Sequence, residues 1–169
     1  SNAPSYIIAC QTAVTSDEAF SKFRSCKSYR KILEHVPPRT GEKYLRQLKD
    51  SEVPYKTLKG LVPEINLGGP ATYRFRNLGK ISPTSIRYAK VHNDIRNLFG
   101  DLTNFKILEI GCGYGGLALQ MMNGESLCSF DIADLEVVEQ LAEKYVLGID
   151  PEKRNVLRIA RKYNHQEID

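Results

Sequence analysis

The run Gly111-Cys112-Gly113-Tyr114-Gly115-Gly116 is the stretch of this sequence best suited to hold a ligand. Glycines let a backbone turn sharply and bring a ligand close to amide N–H groups at a helix start. The spacing fits two templates. Gly111, Gly113 and Gly116 read GxGxxG, as for a dinucleotide, whereas Gly111, Gly113 and Gly115 read GxGxG, as for S-adenosylmethionine. Glu109, two residues upstream, separates them. A carboxylate near the buried end of a strand is costly unless a cation or a hydrogen-bond donor meets it. It would repel a pyrophosphate and attract the ammonium and sulfonium of S-adenosylmethionine, which makes the methyl donor the favoured cofactor. A carboxylate that only accepts bonds from nearby backbone N–H groups is the structural alternative.

Phe130-Asp131-Ile132-Ala133-Asp134-Leu135 offers a second contact. A carboxylate at the edge of a second strand can accept both hydroxyls of a ribose, and Asp131 and Asp134 each qualify. Asp134 also stands where a helix N-cap belongs. Methyl transfer to a hydroxyl requires aligned reactants and removal of a poorly acidic proton. His92 is the histidine nearest the glycine run in sequence and is the candidate base, set against a structural role on a core-packing helix. His35 and His165 have no supporting context. Arg87, Tyr88 and Lys90 are candidates to approach the cofactor or an anionic substrate; solvated or core-bridging side chains are the alternative. Cys10, Cys26, Cys112 and Cys128 form no CxxC pair and have no histidine at ligand spacing, which disfavours a zinc site or a disulfide scaffold. They read as small buried hydrophobes in a reduced, cytoplasmic protein.

Elements that could position these residues follow from periodicity. Thr15-Ser16-Asp17-Glu18 has the form of a capping box and opens one amphipathic helix that ends at Val36-Pro37-Pro38. A shorter helix is expected over 41–50. Between Ser51 and Ile81 turn residues accumulate and an ordered loop or lid is expected. Within it Tyr73-Arg74-Phe75-Arg76 alternates aromatic and cationic side chains, as a hairpin edge or a substrate-facing ribbon would. Ser82-Pro83 starts a helix of about 17 residues that stops at Gly100. Lys106–Ile110 reads as a strand, Leu117–Met122 as the start of a helix, Ser126–Ile132 as a strand and Leu135–Val146 as a helix. That alternation argues for parallel strands with crossover helices. Asp150-Pro151 reads as an N-cap pair, so Val156 to Tyr163 is expected to be helical, with a third strand near Val156 as the other possibility.

The chain has 169 residues, 41% hydrophobic and 26% charged, as a globular protein of one or two small domains would. Its longest apolar stretch, Tyr6–Cys10, is far short of the ~20 residues a membrane helix needs. No signal peptide is legible. The net charge of +4 hides an asymmetry: residues 1–100 hold 17 Lys/Arg against 8 Asp/Glu, and residues 101–169 hold 7 against 12. The basic part predicts an anionic partner such as a nucleotide-linked or phosphorylated sugar, with docking onto the acidic part as the alternative. No nucleic acid is expected.

Ile81-Ser82-Pro83-Thr84-Ser85-Ile86-Arg87-Tyr88 with Lys90-Val91, then Leu108 to Ala118, then Asp134-Leu135 with Lys144-Tyr145, resembles the bacterial sugar O-methyltransferases, a family of the Rossmann-like S-adenosylmethionine-dependent superfamily. The resemblance runs from about residue 68 to 147. It implies that Glu109, Gly111, Cys112, Gly113, Tyr114 and Gly115 line the methionine end of the cofactor, and that Asp134 with Leu135, or Asp131, takes the ribose. Cys112 stands where glycine is expected, and Glu136 where proline often follows Asp-Leu. The implied fold is a doubly wound α/β sheet preceded by a mainly helical region. Residues 1–3 read as an expression scar, 4–100 as a helical substrate or cap region, and 101–169 as the first part of the cofactor domain. Because such a sheet has about seven strands, the chain is expected to be a fragment whose catalytic base lies beyond Asp169. Besides methyl transfer to a sugar hydroxyl, a nicotinamide-dependent oxidoreductase and a non-catalytic module stay open.

Overall fold

Ser82 and Pro83 begin the longest helix of the protein. In the computed structural model, which describes residues 3–160, the Ser82 hydroxyl accepts from the Thr84 N–H at 3.2 Å and Pro83 takes the first helical position. The helix stops at Gly100, whose φ of 75° a side chain would resist. In chain order the elements are α1 (Ala3–Thr15), α2 (Asp17–Phe20), α3 (Lys27–Arg30), α4 (Pro38–Gln47), α5 (Glu52–Gly60), β1 (Tyr73–Phe75), β2 (Gly79–Ile81), α6 (Pro83–Phe99), β3 (Lys106–Ile110), α7 (Gly116–Gly124), β4 (Ser129–Ala133), α8 (Glu136–Ile149) and β5 (Leu157–Ile159). Short 3-10 turns lie at Phe23–Ser25, Glu64–Asn66 and Pro151–Asn155. Among the described residues no helix is long and apolar enough to cross a membrane.

The architecture is mixed α/β. β1 and β2 form an antiparallel hairpin, and β3, β4 and β5 form a parallel sheet in that order, with α7 and α8 as the crossovers. The register pairs Ile107 with Phe130, Leu108 with Asp131 and Glu109 with Ile132. Alternation along a strand therefore puts Ile107, Glu109, Phe130 and Ile132 on one face and Leu108, Ile110 and Asp131 on the other. On the first face Phe130 and Ile132 are fully buried, and α7 packs against β4. On the second face Leu108 is 56% and Ile110 81% exposed. β3 has one strand neighbour among the described residues, so the sheet is open and apolar at that edge.

Several expectations are corrected. The helix expected from Ser16 to Val36 is broken into α2, a 3-10 turn and α3, because the Arg24 N–H donates to Gly68 O at 2.8 Å instead of to its own helix. The cap itself is real: Ser16 Oγ accepts from the Ala19 N–H. α4 starts three residues earlier than expected, at Pro38. α5 occupies a stretch expected to be loop, since Pro54 falls in the first helical turn, where its missing N–H costs nothing, and Gly60 closes the helix. Ala3, assigned to the scar, opens α1. After Asp150, which caps the 3-10 turn by accepting from the Glu152 N–H, the chain enters a strand rather than a helix. Tyr163, His165 and the closing Glu167-Ile168-Asp169 lie outside the described residues.

Candidate functional site

The glycine run joins the carboxyl end of β3 to α7. Gly111, Gly113 and Gly115 have φ of 79°, 54° and 79°, values at which a Cβ is strained. Their surroundings differ. A Cβ on Gly113 would lie 2.7 Å from Leu33 Cδ1, and one on Gly115 3.0 Å from Val146 Cγ2, so these two face packed protein. A Cβ on Gly111 would meet nothing within 4 Å, which leaves that side of the turn open. The Gly111 N–H donates to Ala133 O at 2.8 Å and ties the turn to the end of β4.

Glu109 precedes this opening. Its Oε2 is buried and has no hydrogen-bond partner among the described residues. Burial, with the Asp134 charge adding, pushes its carboxyl up to about 8. The structural alternative, a carboxylate held by backbone N–H groups, is therefore not what this oxygen does.

Asp134 follows β4 and faces the turn. Its Oδ2 accepts from the Gly113 N–H at 3.2 Å and its Oδ1 from the Leu135 N–H at 2.7 Å, while its own N–H donates to Glu139 Oε1 at 3.1 Å. Each carboxylate oxygen has two lone pairs, so acceptor capacity remains. Leu135 is half-exposed at the start of α8. Asp131 lies on the opposite face of the sheet from Glu109 and accepts from the Ser129 hydroxyl at 3.0 Å. The fold thus brings Glu109, Gly111, Gly113 and Asp134 together and leaves Asp131 out.

Cys112 and Tyr114 alternate inward from the turn and are buried. Burial and the Asp134 and Glu109 carboxylates raise the Cys112 thiol well above its ordinary range, which removes it as a nucleophile. Tyr114 packs edge-on against Tyr145 (4.8 Å) and Tyr88 (5.8 Å) and lies under the Arg24 guanidinium, 4.4 Å from its ring centroid. Its side chain anchors the turn rather than lining a ligand. Tyr88 also covers Gly116, where a Cβ would come within 2.5 Å of its ring, and its hydroxyl is raised by burial and then by Glu109.

The other helix candidates separate from the site. His92 is buried, its Nε2 2.6 Å from Glu125 Oε1, and Glu125 is held by Arg96 at 2.7 Å. Glu125 follows the last residue of α7, the end away from the glycine turn, so His92 is not placed to act as the base there. Burial lowers its pKa despite Glu125. Lys90 pairs with Asp94 one helical turn on, which satisfies it without a substrate. Arg87 is half-buried and acts on Tyr88 electrostatically.

Residues 6–34 contribute a layer that periodicity and motif spacing did not assign to the site. Arg24 Nε donates to Glu34 Oε1 at 2.5 Å, Nη1 donates to Ile65 O and Leu67 O, and Ser82 Oγ donates to Glu34 Oε2 at 2.8 Å. From α1, Cys10 is pushed up to about 11 by burial, with Asp134 adding, and Tyr6, raised by burial, also feels Asp134 and Cys112. One signal was available: Arg24 is four residues after Phe20, a charge in phase with the apolar positions. Comparison of the chain with protein-family models, with curated proteins and with solved structures gives no match in any of the three.

Proposed function

We propose that this protein uses S-adenosylmethionine to methylate a hydroxyl of a sugar or sugar-containing acceptor, in a reducing, cytoplasmic setting. The observation that carries the reading is the buried, unpartnered Glu109 oxygen beside the open side of Gly111. A carboxyl group there wants a cation, and the cofactor's ammonium is one. The diphosphate of a nicotinamide dinucleotide would instead meet Glu109 and Asp134, two carboxylates. When bound, S-adenosylmethionine supplies an electrophilic methyl group on its sulfonium. Glu109 would hold the ammonium, the backbone at Gly111 and Gly113 the methionine end, and Asp134 the ribose hydroxyls. Tyr114, clamped from below, keeps the turn in the shape that receives them.

Calorimetry with S-adenosylhomocysteine tests this. Glu109 with a pKa of about 8 is protonated at pH 7 and must ionise to meet an ammonium. Binding at pH 7 is expected to release about 0.9 proton, seen as a dependence of the measured heat on buffer ionisation enthalpy. Affinity is expected to rise roughly tenfold between pH 6 and 7 and to level off above the Glu109 pKa. Saturable binding of NAD with no response to S-adenosylhomocysteine would overturn the reading.

Asp134→Ala is expected to weaken S-adenosylhomocysteine binding about 10- to 150-fold, the loss of charge-assisted bonds worth roughly 1.5–3 kcal/mol. Its cost in stability is smaller, ~1 kcal/mol, as for a helix N-cap, since the shorter of its two backbone bonds is to the N–H of exposed Leu135 at the start of α8. Asp131→Ala is expected to leave affinity within about twofold, because Asp131 is on the other face. A loss confined to Asp131→Ala would reverse the assignment.

A further inference from the structure

A groove of about 690 Å3 lies between the end of α4, α5 and the β1–β2 hairpin, built from different residues than the glycine turn. Four cations enter it: Arg46 and Lys49 from α4 and the turn after it, Arg74 and Arg76 from the hairpin. One carboxylate, Glu42, faces them, and Leu45, Tyr55 and Phe75 give the groove an apolar floor. Elsewhere in the molecule some exposed or half-exposed lysines sit beside carboxylates, Lys22 with Glu18, Lys56 with Glu52, Lys144 with Asp17 and Lys153 with Asp150, while others, such as Lys27 and Lys31, are spread over the surface outside any such groove. None of the four groove cations is ion-paired among the described residues.

The hairpin adds a second observation. Arg74 stands opposite Lys80 in the strand register. Like charges directly across a strand pair destabilise it, so a hairpin built for stability alone would not carry this pair. Gathering unpaired cations from three segments costs free energy that an anion bound between them recovers. Arginine's planar fork suits phosphate oxygens, taking two at once. A groove of this volume is the size of a small-molecule site, and an aromatic floor suits a ring carried beside the charge.

We propose that this groove binds a small molecule carrying a diphosphate or a similar pair of close negative charges, with an attached ring resting on Tyr55. The inference stands apart from the methyl-transfer reading and holds or fails without it. It gives a place to the excess positive charge of residues 1–100, and it identifies Arg74, Phe75 and Arg76 as the hairpin residues that line the ligand site.

Calorimetry of the full chain at low ionic strength with inorganic pyrophosphate, and with uridine diphosphate, tests it. Both are expected to bind one to one, uridine diphosphate more tightly, and both to weaken steeply with added salt. Arg74→Gln combined with Arg76→Gln is expected to weaken binding at least tenfold. Lys27→Gln combined with Lys31→Gln removes the same charge from exposed positions outside the groove and is expected to change it less than twofold. Glu42→Gln is expected to tighten it. All these side chains are exposed, so folding is not at stake, and the thermal midpoint of each variant verifies that. Absence of saturable binding, or equal weakening by the two double variants, would overturn the proposal. So would tighter pyrophosphate binding on Asp134→Ala, which would put the anion beside the carboxylates of the glycine turn. Tighter binding of anionic lipid vesicles than of uridine diphosphate, abolished by the same arginine pair, would assign the groove to a membrane surface instead.

Discussion

Glu109→Gln is expected to make the protein more stable at pH 7 and its cofactor site weaker. The folded-state carboxyl, at about 8, lies above the ordinary value of 4.5, so the folded state holds a proton that the unfolded chain releases. Stability of the parent protein therefore falls as pH rises from the unfolded to the folded pKa. At pH 7 the cost is of order 3 kcal/mol, because every tenfold difference in proton affinity between the folded and unfolded chain is worth about 1.36 kcal/mol. Glutamine keeps the shape, never ionises and avoids this cost. The thermal midpoint of the variant should exceed that of the parent by about 5–10 °C at pH 7. Below about pH 3.5 the two should converge, since both side chains are then neutral in either state. A difference that does not change with pH would show that Glu109 is not held protonated. Affinity for S-adenosylhomocysteine should move the other way, falling at least tenfold at pH 8 and losing its pH dependence, because the amide offers an ammonium no charge. A residue whose removal stabilises the fold and weakens binding is kept for its ligand.

Arg24→Met is expected to be the most destabilising single change in the molecule. The Arg24 and Glu34 side chains are 0% and 3% exposed. Removing one member of a buried pair strands the other, at a cost of about 3–5 kcal/mol. Here the methionine also abandons the Ile65 and Leu67 carbonyls and the face of Tyr114. Arg24→Lys should recover little, because an ammonium cannot serve Glu34, two carbonyls and an aromatic ring at once. Arg24→Met with Glu34→Leu should be less destabilised than Arg24→Met alone, since no charge then remains buried without a partner. Denaturant unfolding of the three variants measures this, and a loss below about 1 kcal/mol for Arg24→Met would mean that the pair is not desolvated.

What could be read from the chain alone was whatever depends on residues a few positions apart. Ser82-Pro83 and Gly100 bound α6 because capping and φ preference are local, and β3 and α8 fell within three residues of their expected bounds because a change of hydrophobic period is local too. The glycine turn was legible for the same reason: three residues at positive φ leave few choices of amino acid. The break after α2 was not legible, since it hangs on Gly68, forty-four residues away, accepting the Arg24 N–H. Nor was the place of Asp131 and Asp134 relative to the turn. Asp131, inside β4, points to the face opposite Glu109, whereas Asp134, just past the strand, accepts from the Gly113 N–H, a contact between residues twenty-one positions apart. His92 shows the same limit, being near the turn in sequence but bonded to Glu125 at the far end of α7. Glu109 combines both sides. Its place before the turn could be counted along the chain, but only tertiary packing decided that its Oε2 is buried without a partner, because desolvation depends on every group folded around a carboxyl and not on its neighbours in sequence.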